Sequence, residues 1–166
     1  MKPQRVDCCR FILGTQINYT QTYFADHHRH FSHDAINRYL SEDKVTPSAS
    51  WKAAKHLIKF SDNSALIFDD SVLDKRYSFK IERVRRQYSG NEHGVIKGIG
   101  VVNCIYVNLD TKEFWVIDWR IDHPDDDGKT KLDHMREMFD NAINHKKLPL
   151  DYPSEKCRDY YLRHER

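Results

Sequence analysis

The pattern of apolar and polar positions changes character once along this chain, near residue 62. Before that point apolar residues recur at three- and four-residue steps. Val6, Cys9, Ile12, Leu13 and Ile17 form one such stripe, the period of an amphipathic helix. Ser32 stands where a hydroxyl can cap a short helix carrying Ile36, Tyr39 and Leu40. Thr46-Pro47-Ser48 breaks the chain, and Ser48 predicts the start of a further helix with Trp51, Ala54, Leu57 and Ile58 on one side. After Asp62-Asn63 the pattern turns to strands. Residues 65–70, ALIFDD, read as a buried strand, and residues 95–108, VIKGIGVVNCIYVN, as a long β-rich run. Gly98 and Gly100 within that run predict a bulge or a close backbone approach. A turn at Leu109-Asp110-Thr111-Lys112 returns the chain as EFWVIDWRI, residues 113–121, so the two strands predict a hairpin. Thr130 and Asp133 are spaced like a capping box, ahead of a helical stripe of Leu132, Met135, Met138, Phe139, Ala142 and Ile143. From Pro149 onward the periodicity ends.

The order helices, strand, basic connection, hairpin, helix gives an α/β reading with a helical region over residues 1–60. The N-terminal helices suit a small DNA-binding bundle and a packing module equally. A chain of 166 residues holds one domain with a real core, or a small domain plus part of a larger one. No apolar run approaches the ~20 residues that span a bilayer, and MKPQRVDCCRF lacks an uninterrupted apolar core for a signal peptide. These features predict a cytoplasmic protein with no membrane partner. Cys8, Cys9, Cys104 and Cys157 have neither zinc-site nor CxxC spacing, which predicts reduced structural thiols.

A net charge of +2 does not imply nucleic acid, but its distribution is uneven. Residues 75–97 hold Lys75, Arg76, Lys80, Arg83, Arg85, Arg86 and Lys97 against Glu82 and Glu92. Residues 110–127 hold seven acids against Lys112 and Arg120. Such separation can create a phosphate-attracting patch, and two solvated faces of opposite sign would read the same way. Arg83, Arg85, Arg86 and Gln87 lie among Tyr77, Phe79 and Tyr88, a mixture suited to phosphate contacts and base stacking.

Candidate chemistry begins where the 65–70 strand ends in Asp69 and Asp70. Carboxylates there can hold Mg²⁺, which takes oxygen ligands and substrate phosphates. Successive strand residues face opposite ways, so one acid of the pair would enter a site and the other would orient or pair. An ordinary acidic turn would show the same residues. The His-dense segment HHRHFSH, residues 27–33, offers imidazoles for zinc but has no nearby Cys, and polar surface histidines explain it. DHPDDDG, residues 122–128, lacks the acids of a calcium loop when aligned on Gly128 and reads as an acidic turn. Neither GxSxG, nor a Walker A, nor GxGxxG is present, which leaves serine-hydrolase, P-loop and dinucleotide chemistry without support.

Two long segments, IFDDSVLDKRYSFKIERVRRQYSGNEHGVIKGIGVVNCIYVN and FWVIDWRIDHPDDDGKTKLDHMREM, closely resemble bacterial insertion-sequence transposases of the DDE class. INYTQTYFADHHRHFSHDAINRYL resembles their N-terminal region, so the likeness covers roughly residues 1–150. The resemblance implies a ribonuclease-H-like catalytic domain, here its first part over residues 61–150, with a divergent tail over 151–166. It implies three acids holding two Mg²⁺ or Mn²⁺ ions, with DNA element ends and target DNA as partners. Asp70 matches the first acid, with Asp69 beside it as a possible metal neighbour. Water would attack the phosphodiester at an element end, and the freed 3′-hydroxyl would attack target DNA. The chain departs from the family after Lys147-Leu148-Pro149-Leu150, where a strand ending in the second acid should follow. Asp151 follows too short an apolar run to replace it, and Asp118 lies mid-strand outside the family context. The sequence therefore predicts a truncated transposase, catalytically incomplete because a lone Asp70 cannot hold two metals in the required geometry. The alternative is a non-catalytic DNA-binding or regulatory module pairing with full-length transposase.

Overall fold

The computed structural model describes residues 2–15, 20–28, 30–77 and 81–150. They fall into two compact units, Met1–Val45 and Thr46–Arg166.

The first unit is helical: α1 (Arg5–Gly14), α2 (Gln21–His27) and α3 (His33–Glu42). Thr20 caps α2 by accepting from the Tyr23 amide at 3.2 Å. Ser32 caps α3 by accepting from Ala35 at 3.3 Å. The core is small: Phe24, Phe31 and Ile36, with Cys8 and Phe11 packed against it. The inward face of α1 differs from the stripe read in the sequence. Val6, Cys9, Ile12 and Leu13 are exposed, and Phe11 instead stacks on Phe24 with ring centroids 4.4 Å apart. An aromatic pair buries more area per contact than the aliphatic stripe, and Phe11 decides how the helix rolls. Ile17 lies outside the described residues. Arg5 donates to Asp43 at 2.6 and 2.8 Å, and the Tyr39 hydroxyl donates to the same carboxylate at 2.7 Å. The hydrogen bonds from Arg5 and then Tyr39 hold the Asp43 carboxyl down at about 2.

The second unit begins with α4 (Pro47–Ala54). Thr46, not Ser48, is the cap, accepting from Ala49 at 3.2 Å. Pro47 has no amide hydrogen and a preset φ, so it takes the first helical position and moves the cap upstream of itself. The predicted helical region of residues 1–60 is thus divided at Val45, and α4 packs on the sheet.

The sheet is antiparallel: β1 (Ser64–Asp74), β2 (Arg85–Ser89), β3 (Gly94–Asn108) and β4 (Glu113–Asp122). The predicted 95–108 and 113–121 hairpin is β3–β4, with its turn at Leu109–Lys112. β2 was hidden in the basic connection, because RRQYS is short and carries no apolar alternation. β1 runs four residues beyond Asp70, since Ser71–Asp74 continue pairing along β3.

Alternation along β3 separates two faces. Val102, Cys104 and Tyr106 are fully buried, and with Ile117, Met138 and Ala142 they form the main core. α6 (Lys131–Asp140) covers this face, closed at its start by the Thr130–Asp133 capping box. A π-turn, Asn141–His145, extends it. His134 and Met138 are its buried positions, while Leu132 is exposed. A register shift between Cys104 and Ile105 leaves Ile117 without a strand partner and buries its side chain completely. This bulge adds one residue to β4. Past the π-turn, Leu148 and Leu150 return to the core, and the Ser64 hydroxyl donates to the Pro149 carbonyl at 2.7 Å.

Gly98 is a close-approach glycine. A Cβ there would stand 2.6 Å from the Leu73 carbonyl oxygen and 2.7 Å from Val72 Cγ1. Backbone cannot yield as a side-chain tip can. Gly98→Ala is expected to cost about 1–3 kcal/mol by overpacking, read as a lower urea midpoint. An unchanged midpoint would show that β1 can move away at no cost.

Candidate functional site

Strand alternation sorts the paired acids. Asp70 pairs across β1–β3 with the fully buried Val102 and so lies on the helix-covered face. Asp69 pairs with Asn103 on the opposite face, where it accepts from the Ser71 hydroxyl at 3.3 Å. Asp70 lines a cavity of about 500 Å³ together with Ser71, Arg85, Gln87, Asp122 and Lys131. Asp69 does not line it.

Four elements contribute: β1, β2, β4 and α6. Lys131 opens α6, and its Nζ lies 2.5 Å from Asp70 Oδ2. A cation in the first turn opposes the helix dipole, and pairing with Asp70 offsets that. Asp122 closes β4 opposite Gly100. It is only 4% exposed, and its Oδ1 is sealed from solvent with no hydrogen-bond partner. Gln87 donates through Nε2 to the Gly98 carbonyl at 3.0 Å. That bond fixes the amide orientation and leaves Oε1 buried without a partner. Gly100 lies close beneath both residues: a Cβ there would stand 2.7 Å from Gln87 Oε1 and 3.2 Å from Asp122 Oδ2, the carboxylate's other oxygen. Arg85 Nη1 is likewise buried and unpartnered. The cavity thus gathers two carboxylates, an amide oxygen and two cations, with three buried polar atoms left unsatisfied. Such atoms are uncommon in folded proteins and call for an explanation.

The basic residues of 75–97 do not form one patch. Arg85 pairs with Gly98 and faces the cavity; its neighbour Arg86 pairs with Lys97 on the other face. Arg76 is held by Asp74 at 2.6 Å and Glu92 at 2.8 Å. Arg83, at φ 62°, pairs with Asp126 at 3.2 Å. Lys75 is half-buried, its amide donating to the Lys97 carbonyl at 2.9 Å. Lys80 lies outside the described residues. The charge separation in the sequence is therefore partly cancelled in space. Arg86, exposed, lies directly across from Lys97 on the face opposite the cavity.

Asp118 is the most buried charge among the described residues, 1% exposed. It accepts from Lys146 Nζ at 2.9 Å and Asn141 Nδ2 at 2.9 Å, and pairs with Arg120. The π-turn sets this up by delivering both Asn141 and Lys146 to one carboxylate. Burial opposes ionisation of Asp118, but Lys146 and Arg120 outweigh it and hold the carboxyl below its ordinary value. Burial pushes the thiol of Cys104, its cross-strand neighbour, up to about 12. Cys104 is therefore a protonated core residue.

Elsewhere, His27 packs on Tyr23 and His28 on Phe24 and Phe31. Residues 124–127 form a one-turn helix, α5, ended by Gly128 at φ 67°. No group of three or more His, Cys, Asp or Glu converges among the described residues. No helix among them is long and apolar enough to cross a membrane.

Sequence reasoning missed Asp122, Gln87 and Lys131 as members of the Asp70 cavity. Asp122 was visible as part of an acidic turn, and Gln87 within a basic segment. Strand register brings Asp122 and Gln87 to the Asp70 cavity, and the start of α6 brings Lys131. No protein-family model, curated protein or solved structure matches this chain.

Proposed function

We propose that this chain is a DNA-transposition protein of the DDE kind, with Asp70 as the first metal-holding acid on a ribonuclease-H-like sheet. The observation that carries the reading is the placement of Asp70. It alone of the acidic pair enters a cavity that also holds Arg85 and Lys131, cations suited to a phosphodiester. The oxygen donors there, Asp70, Asp122 and Gln87, suit a hard cation such as Mg²⁺ or Mn²⁺. When bound, that ion would supply Lewis-acid charge neutralisation at a phosphate. The chain's own part is to hold Asp70 rigidly on a paired strand and to present Arg85 and Lys131 to the anion. Element ends and target DNA are the partners this reading implies.

A second reading, a DNA-binding or regulatory module without catalysis, is favoured by one contact. Lys131 already neutralises Asp70, and only Asp122 joins it as a second acid in the cavity. Both readings require DNA binding. Arg86, exposed on the sheet, is expected to contribute: replacing it by alanine should weaken binding across sequences. It should also flatten the log K against log salt slope by about 0.9, one phosphate contact. A gel-shift titration at several salt concentrations measures this, and an unchanged slope removes Arg86 from the interface. Incubation with end-bearing DNA and Mn²⁺ separates the readings. Cleavage that disappears in Asp70→Ala supports the catalytic one, and binding without cleavage the regulatory one.

A further inference from the structure

We propose that the face of the sheet opposite α6 is the interface of a homodimer, on which a second copy of this chain packs sheet to sheet. The Asp70 cavity lies on the other face and plays no part in it.

An antiparallel sheet with one face in water alternates apolar with polar residues. β3 does not. Opposite the buried Val102, Cys104 and Tyr106 it carries Val95, Ile99, Val101, Ile105 and Val107, interrupted by Lys97 and Asn103. Strand pairing sets Ile67 and Leu73 of β1 and Phe114 and Val116 of β4 beside them, and all four are exposed. Three strands about 4.8 Å apart, followed for about 40 Å, make a face of about 600 Å². An open apolar patch of that size marks an interaction site. Two such faces would bury about 1,200 Å², above the ~1,000 Å² that a specific interface needs.

Charge and symmetry favour a second copy as the occupant. A two-fold interface is self-complementary, because the same patch serves both partners. Let the axis lie between the sheets, across the strands, at the level of Gly100. Ile99 then faces Val101 of the second copy, and Val95 faces its Ile105. Lys97 faces Asn103. Lys75, whose amide donates to the Lys97 carbonyl at 2.9 Å, faces the exposed Asp69, the cross-strand neighbour of Asn103. Acid thus meets cation on both sides of an apolar centre. Moving the axis one residue, to Val101, would set Lys97 on Ile105 and lose the match. Arg86, on the edge strand β2, falls at the rim, where a phosphate can still reach it.

Sedimentation equilibrium of the full chain tests this. Wild type is expected to be dimeric at about 100 µM, since interfaces of standard size reach micromolar affinity or better. Leu73→Lys alters an exposed side chain next to the axis. It should weaken dimerisation at least about tenfold, because an unpaired cation there loses its water, with circular dichroism reporting its fold. Asp69→Lys should weaken dimerisation as well, and adding Lys75→Glu should restore it. A wild type that stays monomeric overturns the proposal and leaves the face to a different protein. A dimer that withstands Leu73→Lys overturns it too, since the contact then lies elsewhere. Weakening by Asp69→Lys that Lys75→Glu fails to reverse overturns the axis at Gly100.

Discussion

Replacing Asp118 by alanine is expected to lower the unfolding free energy of the sheet unit by about 3–5 kcal/mol. The ion pair itself is not the source of that figure. A buried pair roughly breaks even, because both charges lose hydration. Removing one partner is what is costly. Lys146, whose side chain is 6% exposed, would keep its charge in the core with only the Trp51 ring 5.5 Å away to receive it. Arg120 and Asn141 would lose their shared acceptor, and the Trp119 amide its bond at 2.9 Å. Trp51, Trp115 and Trp119 are the chain's three tryptophans and all lie in this unit, so urea unfolding followed by Trp fluorescence reads it directly. A loss under about 1 kcal/mol would mean that water reaches Lys146.

The same group gives a pH dependence of known sign. The folded carboxyl titrates below its unfolded value. Its stabilisation is therefore complete above the ordinary carboxylate value near 3.9 and is lost as pH falls through the folded value. The gap in midpoint between wild type and Asp118→Ala should be full at neutral pH and narrow below about pH 4. A gap that widened in acid would reverse the sign.

Ile36→Ala is expected to unfold the helical unit while leaving the sheet unit intact. Ile36 is fully buried, and truncating such a residue costs about 2–5 kcal/mol. The unit's described core is Phe24, Phe31 and Ile36. A chain of this length buries too small a fraction of its surface to hold much stability in reserve. Hydrogen exchange should show lost protection across α1–α3, with no shift in the Trp-monitored midpoint. An equal fall in that midpoint would show that the two units unfold together.

Much of the fold was legible in the sequence because local physics decided it. The β3–β4 hairpin follows from alternation and a turn at residues 109–112, and the start of α6 from the Thr130–Asp133 capping box. The Ser32 cap needs only its own hydroxyl. The failures also have local causes. The Ser48 cap yielded to Thr46 because Pro47 fits the first helical position. The stripe on α1 yielded to Phe11 because a facing aromatic ring outweighs aliphatic spacing. β2 escaped notice because its residues carry no apolar signal and are held as a strand only by pairing with β3.

The candidate site divides along the same line. By itself the sequence determined that one acid of Asp69–Asp70 would enter a site, since a strand alternates. Alternation left open which acid, and the resemblance pointed to Asp70; which face is covered depends on where α6 packs, and in the structure it is the face that carries Asp70. The tertiary structure alone decided Asp70's company: Lys131, Gln87, Arg85 and Asp122 come from three other elements, joined by strand register and a helix cap. The basic stretch shows the reverse. Its charges were plain in the sequence, yet alternation sent Arg85 and Arg86 to opposite faces, and Asp74, Glu92 and Asp126 neutralised Arg76 and Arg83. Spacing within one element is a local property, whereas convergence between elements is set by long-range pairing that no short window contains.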